Sequence, residues 1–421
     1  MRHAKSQPTD HRSYIVSPIR PVCGIEAEFQ TICDQKECSP EDLFGSFDAV
    51  IPRGAVPWAG KPLPLPNGGV TYLDRGVIEI VTPPIELSPD SARQAVECLW
   101  KQIHWVRQHL DTWERCTGRH VRLRGFSAHY NVSFDPALRD KNRNLARLAY
   151  LLCHILPFPI ILLATNNAST GVGVRPRHNR LEITVDFTPR PDLMIATAAT
   201  ILGLVTHVMS WETYRIEELK HRSLPQLAFF CPTRHASRHG WLAHYSSFSV
   251  NPFKVVNSSE LWQTKHHGLL TINELSELVV KDHWDSIKAY AGARTRDLIW
   301  GIITGSTPGL RHSTASPDGY DNVRGTPSAS IPRGSPKRYA GLLARCYEGT
   351  PVSMKGSTFM PRRVLGWFVI EFLERETGRT RIFTLDEIIR SSPKWTAKSE
   401  RHRTGLDPRI VPTDKPEKTL R

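Results

Sequence analysis

The hydrophobic and polar positions change their period along the first half of the chain, which predicts alternating strands and helices. Residues 22–31 alternate apolar with polar side chains, as in a half-buried strand. From Ala92 to Trp113 the apolar side chains recur every three or four residues, which predicts a long helix that ends at Gly118. Further strand-like segments cover 70–82, 122–134 and 180–187, and further helix-like segments cover 142–156 and 193–219. Because the strands carry polar side chains at alternate positions, we expect an α+β fold, with a mostly antiparallel sheet and helices on one face.

Pro, Gly and polar residues are concentrated in a few segments, and these divide the chain into parts. A stretch rich in Gly, Ser, Pro and Arg predicts a flexible linker over 304–338. We expect a large domain before this linker and a small C-terminal module with one amphipathic helix, 362–376, after it. The predicted parts are a leader (1–20), the large domain (21–303), the linker (304–338), the module (339–395) and a polar tail (396–421).

Composition and charge narrow the class of protein. The 421 residues include eight cysteines without a CxxC pair, no apolar run of about 18 residues and no apolar segment near the polar N-terminus. We therefore expect a cytoplasmic protein with reduced thiols that does not cross a membrane. The net charge of +14 favours anionic partners such as nucleotides, nucleic acids or acidic peptides, without choosing among them.

Three glutamates are the first candidates for chemistry. Glu26 and Glu28 are two residues apart in a predicted strand, so both point to the same face and repel each other unless a cation lies between them. Glu79 lies in the apolar segment VIEIVTPP, where a lone carboxylate is costly unless it is paired or bound to metal. Asp74, which precedes it in the strand-like segment 70–82, is a candidate base.

Two later strands show the same spacing of polar residues. His129 and Asn131 share one face of a predicted strand. The next strand places four polar residues on one face: Arg180, Glu182, Thr184 and Asp186. Arg175 and Arg177 lie just before this strand. A sheet face with acids, a histidine and arginines suits Mg²⁺-nucleotide chemistry. Nucleic-acid binding is possible but not favoured, because it calls for basic and aromatic residues without the acids.

These segments resemble known motifs. GIEAEF resembles the G-x-E-x-E signature of glutamine-synthetase-like carboxylate–amine ligases. The segment from Tyr72 to Pro83 resembles the Y-x-D-x-G-x-x-E-x-x-T-P motif of the Pup ligase and depupylase branch. GFSAHYNVSF and NRLEITVDFTP are similar to strands of glutamate–cysteine ligase-like enzymes, except that Asn131 replaces a histidine and Thr184 an arginine.

The resemblance, which covers roughly residues 22–215, implies a glutamine-synthetase-like catalytic domain that uses ATP and Mg²⁺. It implies that Asp74 is the catalytic carboxylate and that Tyr72 lies near the substrate. Its implied Mg²⁺ ligands are Glu26, Glu28, Glu79 and Glu182. Its implied nucleotide and phosphate contacts are His129, Asn131, Arg175, Arg177 and Arg180.

The resemblance also implies the reaction. Phosphoryl transfer from ATP would activate a carboxylate, and an amine would attack it to form an amide or isopeptide bond. The donor could be a small molecule or a peptide or protein carboxylate, and the acceptor a small amine or a protein lysine. Two alternatives stay open. One is an amidase of the depupylase kind that uses the same site, and the other is a non-catalytic basic binding protein on a ligase fold.

Overall fold

The computed structural model describes residues 18–134, 143–235, 240–254, 260–310 and 338–391. The predicted leader and linker lie largely outside these residues, and the predicted tail lies entirely outside them. The strands of the largest sheet are β1 Val22–Cys33, β2 Lys36–Cys38, β3 Leu63–Pro64, β4 Val70–Asp74, β5 Val77–Val81, β6 Ile85–Glu86, β7 Val121–Ser133, β8 Gly171–Pro176, β9 Arg180–Asp186, β10 Thr233–Arg234 and β11 Trp241–His244. The remaining strands are β12 Trp262–Gln263, β13 Leu269–Leu270, β14 Val352–Met354, β15 Ser357–Gly366, β16 Val369–Glu374 and β17 Thr380–Thr384.

Helices lie between and after these strands. They are α1 Pro40–Phe44, α2 Ser91–Thr117, α3 Leu145–Cys153, α4 Pro157–Ala164, α5 Pro191–Met209, α6 Glu218–His221, α7 Ile272–Asp282, α8 Trp284–Lys288, α9 Ala293–Ile303, α10 Arg338–Tyr347 and α11 Leu385–Ser391. The predicted helix 142–156 is therefore shorter than expected, and the helix predicted over 193–219 ends at Met209.

The largest sheet has 11 strands, and its described strand pairs are antiparallel. The order is β10–β11–β8–β9–β7–β1–β5–β4–β3, and β2 and β6 pair additionally with β1. The apolar face packs against α2 and α5, and Leu181, Ile183 and Val185 of β9 are buried there. This arrangement confirms the predicted α+β fold.

The segment 70–82 forms two strands and not one. Arg75 and Gly76 join β4 to β5 with φ values of 51° and 91°. Positive φ at both central residues is typical of a two-residue hairpin turn, and glycine adopts it without strain. Asp74 therefore lies at the exposed end of a hairpin, on a different strand from Glu79.

The predicted helix 362–376 is wrong, because this segment forms the β15–β16 hairpin. Its apolar positions fit a helical period and an alternating one equally well, which leaves the choice to other features. Val364, Val369 and Ile370 are β-branched, and Gly366 is unfavourable in the interior of a helix. Together these features favour the strands.

Strands β14–β15–β16–β17 form a small C-terminal sheet, which shares a core with one side of the large sheet. Val22, Val70 and Val81 of the large sheet belong to the same buried cluster as Tyr339 and Phe372. This contact brings the β15–β16 turn, at residues 367–368, against the end of β1. The structure thereby adds aromatic residues to one end of the polar sheet face.

Helix α5 is apolar nearly all round and lies in the main core. It is long and apolar enough to cross a membrane, although no apolar run of this length was expected from the sequence. In the protein, 78% of the 18-residue apolar stretch of this helix is buried. The burial is that of a core helix, as predicted for its first half.

We expect that Gly203→Ala in α5 lowers the free energy of unfolding by about 1–3 kcal/mol. An added Cβ would lie 2.5 Å from Ile287 Cα in α8, so backbone would have to move. In a helix without this contact the same change stabilises, by up to about 1 kcal/mol. Urea unfolding measures the difference, and an increase in stability would contradict the close α5–α8 packing.

Candidate active site

The strand register arranges polar side chains in rows across the face of the sheet opposite α2 and α5. The first row runs across β4, β5, β1, β7 and β9, where consecutive partners are Tyr72, Glu79, Glu28, Ser127 and Asp186. The second row runs across β1, β7, β9 and β8, with Glu26, His129, Thr184 and Gly173. The third contains Asn131, Glu182 and Arg175. The register therefore brings most of the predicted site residues together. The predicted residues outside these rows are Asp74, Arg177 and Arg180.

His129 lies at the centre of the polar face and is buried. Its Nδ1 is 3.1 Å from Glu26 Oε2, and its Nε2 is 3.2 Å from Ser127 Oγ and 3.7 Å from Glu28 Oε1. Asn131 donates from Nδ2 to Glu26 Oε1 at 3.0 Å. Burial alone would lower the pKa of His129, but the hydrogen bond and charge of Glu26, together with the charge of Glu28, raise it.

The three glutamates carry more negative charge than their protein partners balance. Burial opposes the ionisation of Glu26, but the hydrogen bond and charge of His129 outweigh burial and lower the pKa of Glu26 to about 2. Burial and the charges of Glu26 and Glu28 raise the pKa of Glu79 to about 9. Glu79 is therefore protonated at neutral pH in the absence of a cation.

This donor set fits a hard divalent cation. Mg²⁺ binds carboxylate oxygens, and its charge would permit Glu79 to ionise next to Glu26 and Glu28. The predicted role of these three residues as Mg²⁺ ligands stays a prediction, supported by their common position and by the raised pKa of Glu79.

Glu182 is paired with arginines. It is completely buried, its Oε1 forms an ion pair with Arg175, and its Oε2 accepts from Arg177 Nε at 2.5 Å. One ligand atom each of Glu182, Glu26 and His129 nevertheless lie within 4.8 Å of one another. The predicted metal role of Glu182 and the predicted phosphate roles of Arg175 and Arg177 stay predictions, because the one carboxylate already pairs with both arginines and offsets one of their two positive charges.

Arg180 lies beside the Glu26 network. Its Nε donates to Asn131 Oδ1 at 2.7 Å, and Asn131 in turn donates to Glu26. Gly24 lies across from Asn131 at this end of β1. A small cleft opens there, lined by Glu26, Asn131 and Arg180 together with Trp367 and Phe368.

Asp74 and Tyr72 share one face of β4. Asp74 is exposed at the hairpin end, whereas Tyr72 is half-buried beside Glu79. Burial and the charge of Glu79 raise the pKa of Tyr72, so its phenol stays protonated. Asp74, the predicted catalytic carboxylate, thus lies two residues along β4 from Tyr72. Tyr72 is the cross-strand partner of Glu79, whereas Asp74 is open to solvent.

Three residues at the site were not predicted from the sequence. Ser127 donates from Oγ to Glu28 Oε2 at 2.5 Å and begins the alternating series Ser127, His129 and Asn131 on β7. Extending the i, i+2 pattern by one step would have found it. Trp367 and Phe368 reach the cleft only through the fold of the C-terminal sheet, which no local pattern indicates.

Comparison with known proteins shows a likeness among solved structures. No family model matches the chain, and no curated protein matches it. Among solved structures, the chain is similar to the crystal structure of the complex between the prokaryotic ubiquitin-like protein Pup and its ligase PafA, with 11% sequence identity and a TM-score of 0.48. The match covers 94% of this chain and 99% of that chain. At this identity we base function on the residues of the sheet face.

Proposed function

We propose that this protein is an ATP- and Mg²⁺-dependent carboxylate–amine ligase that forms an amide or isopeptide bond through an acyl phosphate, similar to Pup ligase. The observation that carries the proposal is the row of carboxylates on β5 and β1, in which Glu79 is the cross-strand partner of Glu28 and Glu26 lies on the same face of β1. Glu26 is ionised beside Glu79. Few reasons besides cation binding would place three glutamates on adjacent strands in a half-buried site.

Mg²⁺-ATP, when bound, supplies the phosphoryl group that activates the donor carboxylate. Glu26, Glu28 and Glu79 would hold the metal, and His129 orients two of them through the contacts at Glu26 and Glu28. Trp367 and Phe368 offer an apolar wall for the nucleotide base in the adjacent cleft.

Arginine side chains on β8 and β9, and in the connection between them, would bind the donor. Arg180 is the arginine whose Nε bonds to the neutral Asn131 and not to a carboxylate, so it can interact with a phosphate or a donor carboxylate. Arg175 or Arg177 contributes if it exchanges its contact with Glu182 for one with the substrate anion.

Asp74 is the proposed base for the acceptor amine. A lysine amine is protonated at neutral pH, with a pKa near 10.4, and must lose a proton before it can attack. Asp74 is exposed at the β4–β5 turn, which allows access by a lysine on a protein surface. The proposed partners are therefore a carboxylate donor and an amine acceptor, which could be a protein lysine.

ADP release by the full chain tests this function. With Mg²⁺-ATP and heat-treated cell extract as a source of donor and acceptor, we expect ADP to form in proportion to new amide bonds. Asp74→Asn should lower this rate by about 10²- to 10⁴-fold, the range for loss of a general base. Asp90→Asn, at the start of α2 on the other side of the sheet, is the matched control and should leave the rate unchanged.

Two results would point elsewhere. Amide cleavage without stoichiometric ADP would replace the ligase with the amidase alternative. Equal rates for Asp74→Asn and the wild type would exclude Asp74 as the base while leaving the nucleotide site open to separate tests.

A further inference from the structure

A second group of potential ligands lies in the helical layer, away from the sheet face. His207 is in the last turn of α5, Asp282 is the last residue of α7, and His283 joins α7 to α8. One ligand atom of each residue lies within 4.8 Å of the other two. The ring centroids of the two histidines are 4.7 Å apart. Three separate helix ends therefore converge on one point.

The two imidazoles have nitrogens that are ready to accept a ligand bond. His283 is completely buried, and its Nδ1 is 2.8 Å from Val279 O, so Nδ1 carries the proton and Nε2 carries the lone pair. His283 Nε2 and His207 Nδ1 are both buried with no hydrogen-bond partner among the described residues. Unsatisfied polar atoms of this kind are costly, and two of them in one cluster point to a ligand.

We infer that His207, Asp282 and His283 form a zinc site that joins α5 to the α7–α8 junction. Two imidazole nitrogens and one carboxylate are a three-ligand zinc set that leaves a fourth position for water. A backbone carbonyl that receives the proton of the other ring nitrogen, as Val279 does here, is a common partner of a zinc-bound histidine. The inference does not depend on the proposed ligase function.

The surroundings allow zinc to enter and limit how tightly it binds. The Asp282 side chain is 29% exposed, which leaves a path from solvent, and Asp285 adds negative charge nearby. Arg222 opposes a cation, although its guanidinium lies over the Trp211 ring, 4.1 Å from the ring centroid, and 3.8 Å from a Glu218 carboxylate oxygen. Burial also lowers the pKa of both histidines, that of His283 to about 3.

Zinc titration of the metal-free full chain tests the inference. With excess Mg²⁺ present, we expect calorimetry to show one zinc per chain and zinc to raise the melting temperature. Asp282→Asn and His207→Gln should each weaken zinc binding by at least about tenfold. Because Asp282 is partly exposed, its asparagine variant is expected to keep the fold, and the melting temperature without zinc will confirm this.

Two control variants distinguish loss of a zinc ligand from a general charge effect and from zinc binding at the sheet face. Asp285→Asn removes a nearby negative charge from a residue whose side chain is 95% exposed, and it should leave zinc affinity within about threefold because no ligand is lost. His129→Gln, on the sheet face, should leave the same zinc binding intact. No zinc binding by the wild type, or equal binding by Asp282→Asn and His207→Gln, would overturn the inference, as would loss of the zinc in His129→Gln.

Discussion

Glu28→Gln is expected to lower Mg²⁺-dependent ATP turnover by at least about 10²- to 10³-fold while the fold stays intact. Glutamine has the shape of glutamate and keeps an oxygen that can accept from Ser127, but it lacks the charge that a bound cation would require. Glu28 is partnered across the sheet by Glu79 and Ser127. Steady-state ADP production by wild type and variant measures the effect.

The same substitution separates activity from stability. Because Glu28 repels its acidic neighbours in the metal-free protein, its removal should leave the melting temperature unchanged or raise it. Glu37→Gln is the matched control, since Glu37 is an exposed glutamate of the same sheet that pairs with Arg124. Turnover by Glu28→Gln within about twofold of the wild type would show that this carboxylate holds no catalytic metal.

Mg²⁺ binding at pH 7.5 is expected to release about one proton per chain, and Glu79→Gln should abolish this release. The pKa of Glu79 is raised to about 9 by burial and by the charges of Glu26 and Glu28, so the site must lose this proton before Glu79 binds the metal. Below pH 9 the affinity for Mg²⁺ should therefore rise by about tenfold per pH unit. Calorimetry in buffers of different ionisation enthalpy counts the protons.

The metal-free protein should show the matching change in stability. The folded-state pKa of Glu79 is above its ordinary value of 4.5, so its contribution to stability is complete below pH 4.5 and is lost as the pH rises towards 9. Thermal unfolding without Mg²⁺ should follow this loss, and saturating Mg²⁺ should reduce it. Proton release that persists in Glu79→Gln would assign the proton to another group.

The sequence predicted the α+β class and the composition of the polar face because period-2 alternation is a local property. Glu26 with Glu28, and His129 with Asn131, could be placed on common faces from their spacing alone. The strand order and register could not be placed in this way, because long-range pairing leaves no trace in a single sequence. The row from Tyr72 through Glu79 to Ser127 therefore became visible only in the structure.

Two errors in the sequence analysis have the same physical origin. Segment 70–82 has strand character throughout, and the Arg75–Gly76 turn that divides it occupies only two residues. Segment 362–376 fits both the helical and the strand period, and its strands are selected by pairing with each other and by the shared core around Phe372. In both cases tertiary pairing decides between local alternatives that the sequence leaves nearly equal.

The binding of Mg²⁺-ATP by calorimetry tests the central claim most directly, because it needs neither the donor nor the acceptor. The three carboxylates on β1 and β5 predict one nucleotide per chain, binding that requires the divalent cation, and loss of the metal-dependent part in Glu28→Gln. Binding of ATP that is equally strong without Mg²⁺, or unchanged in Glu28→Gln, would contradict the assignment of this sheet face as a metal–nucleotide site.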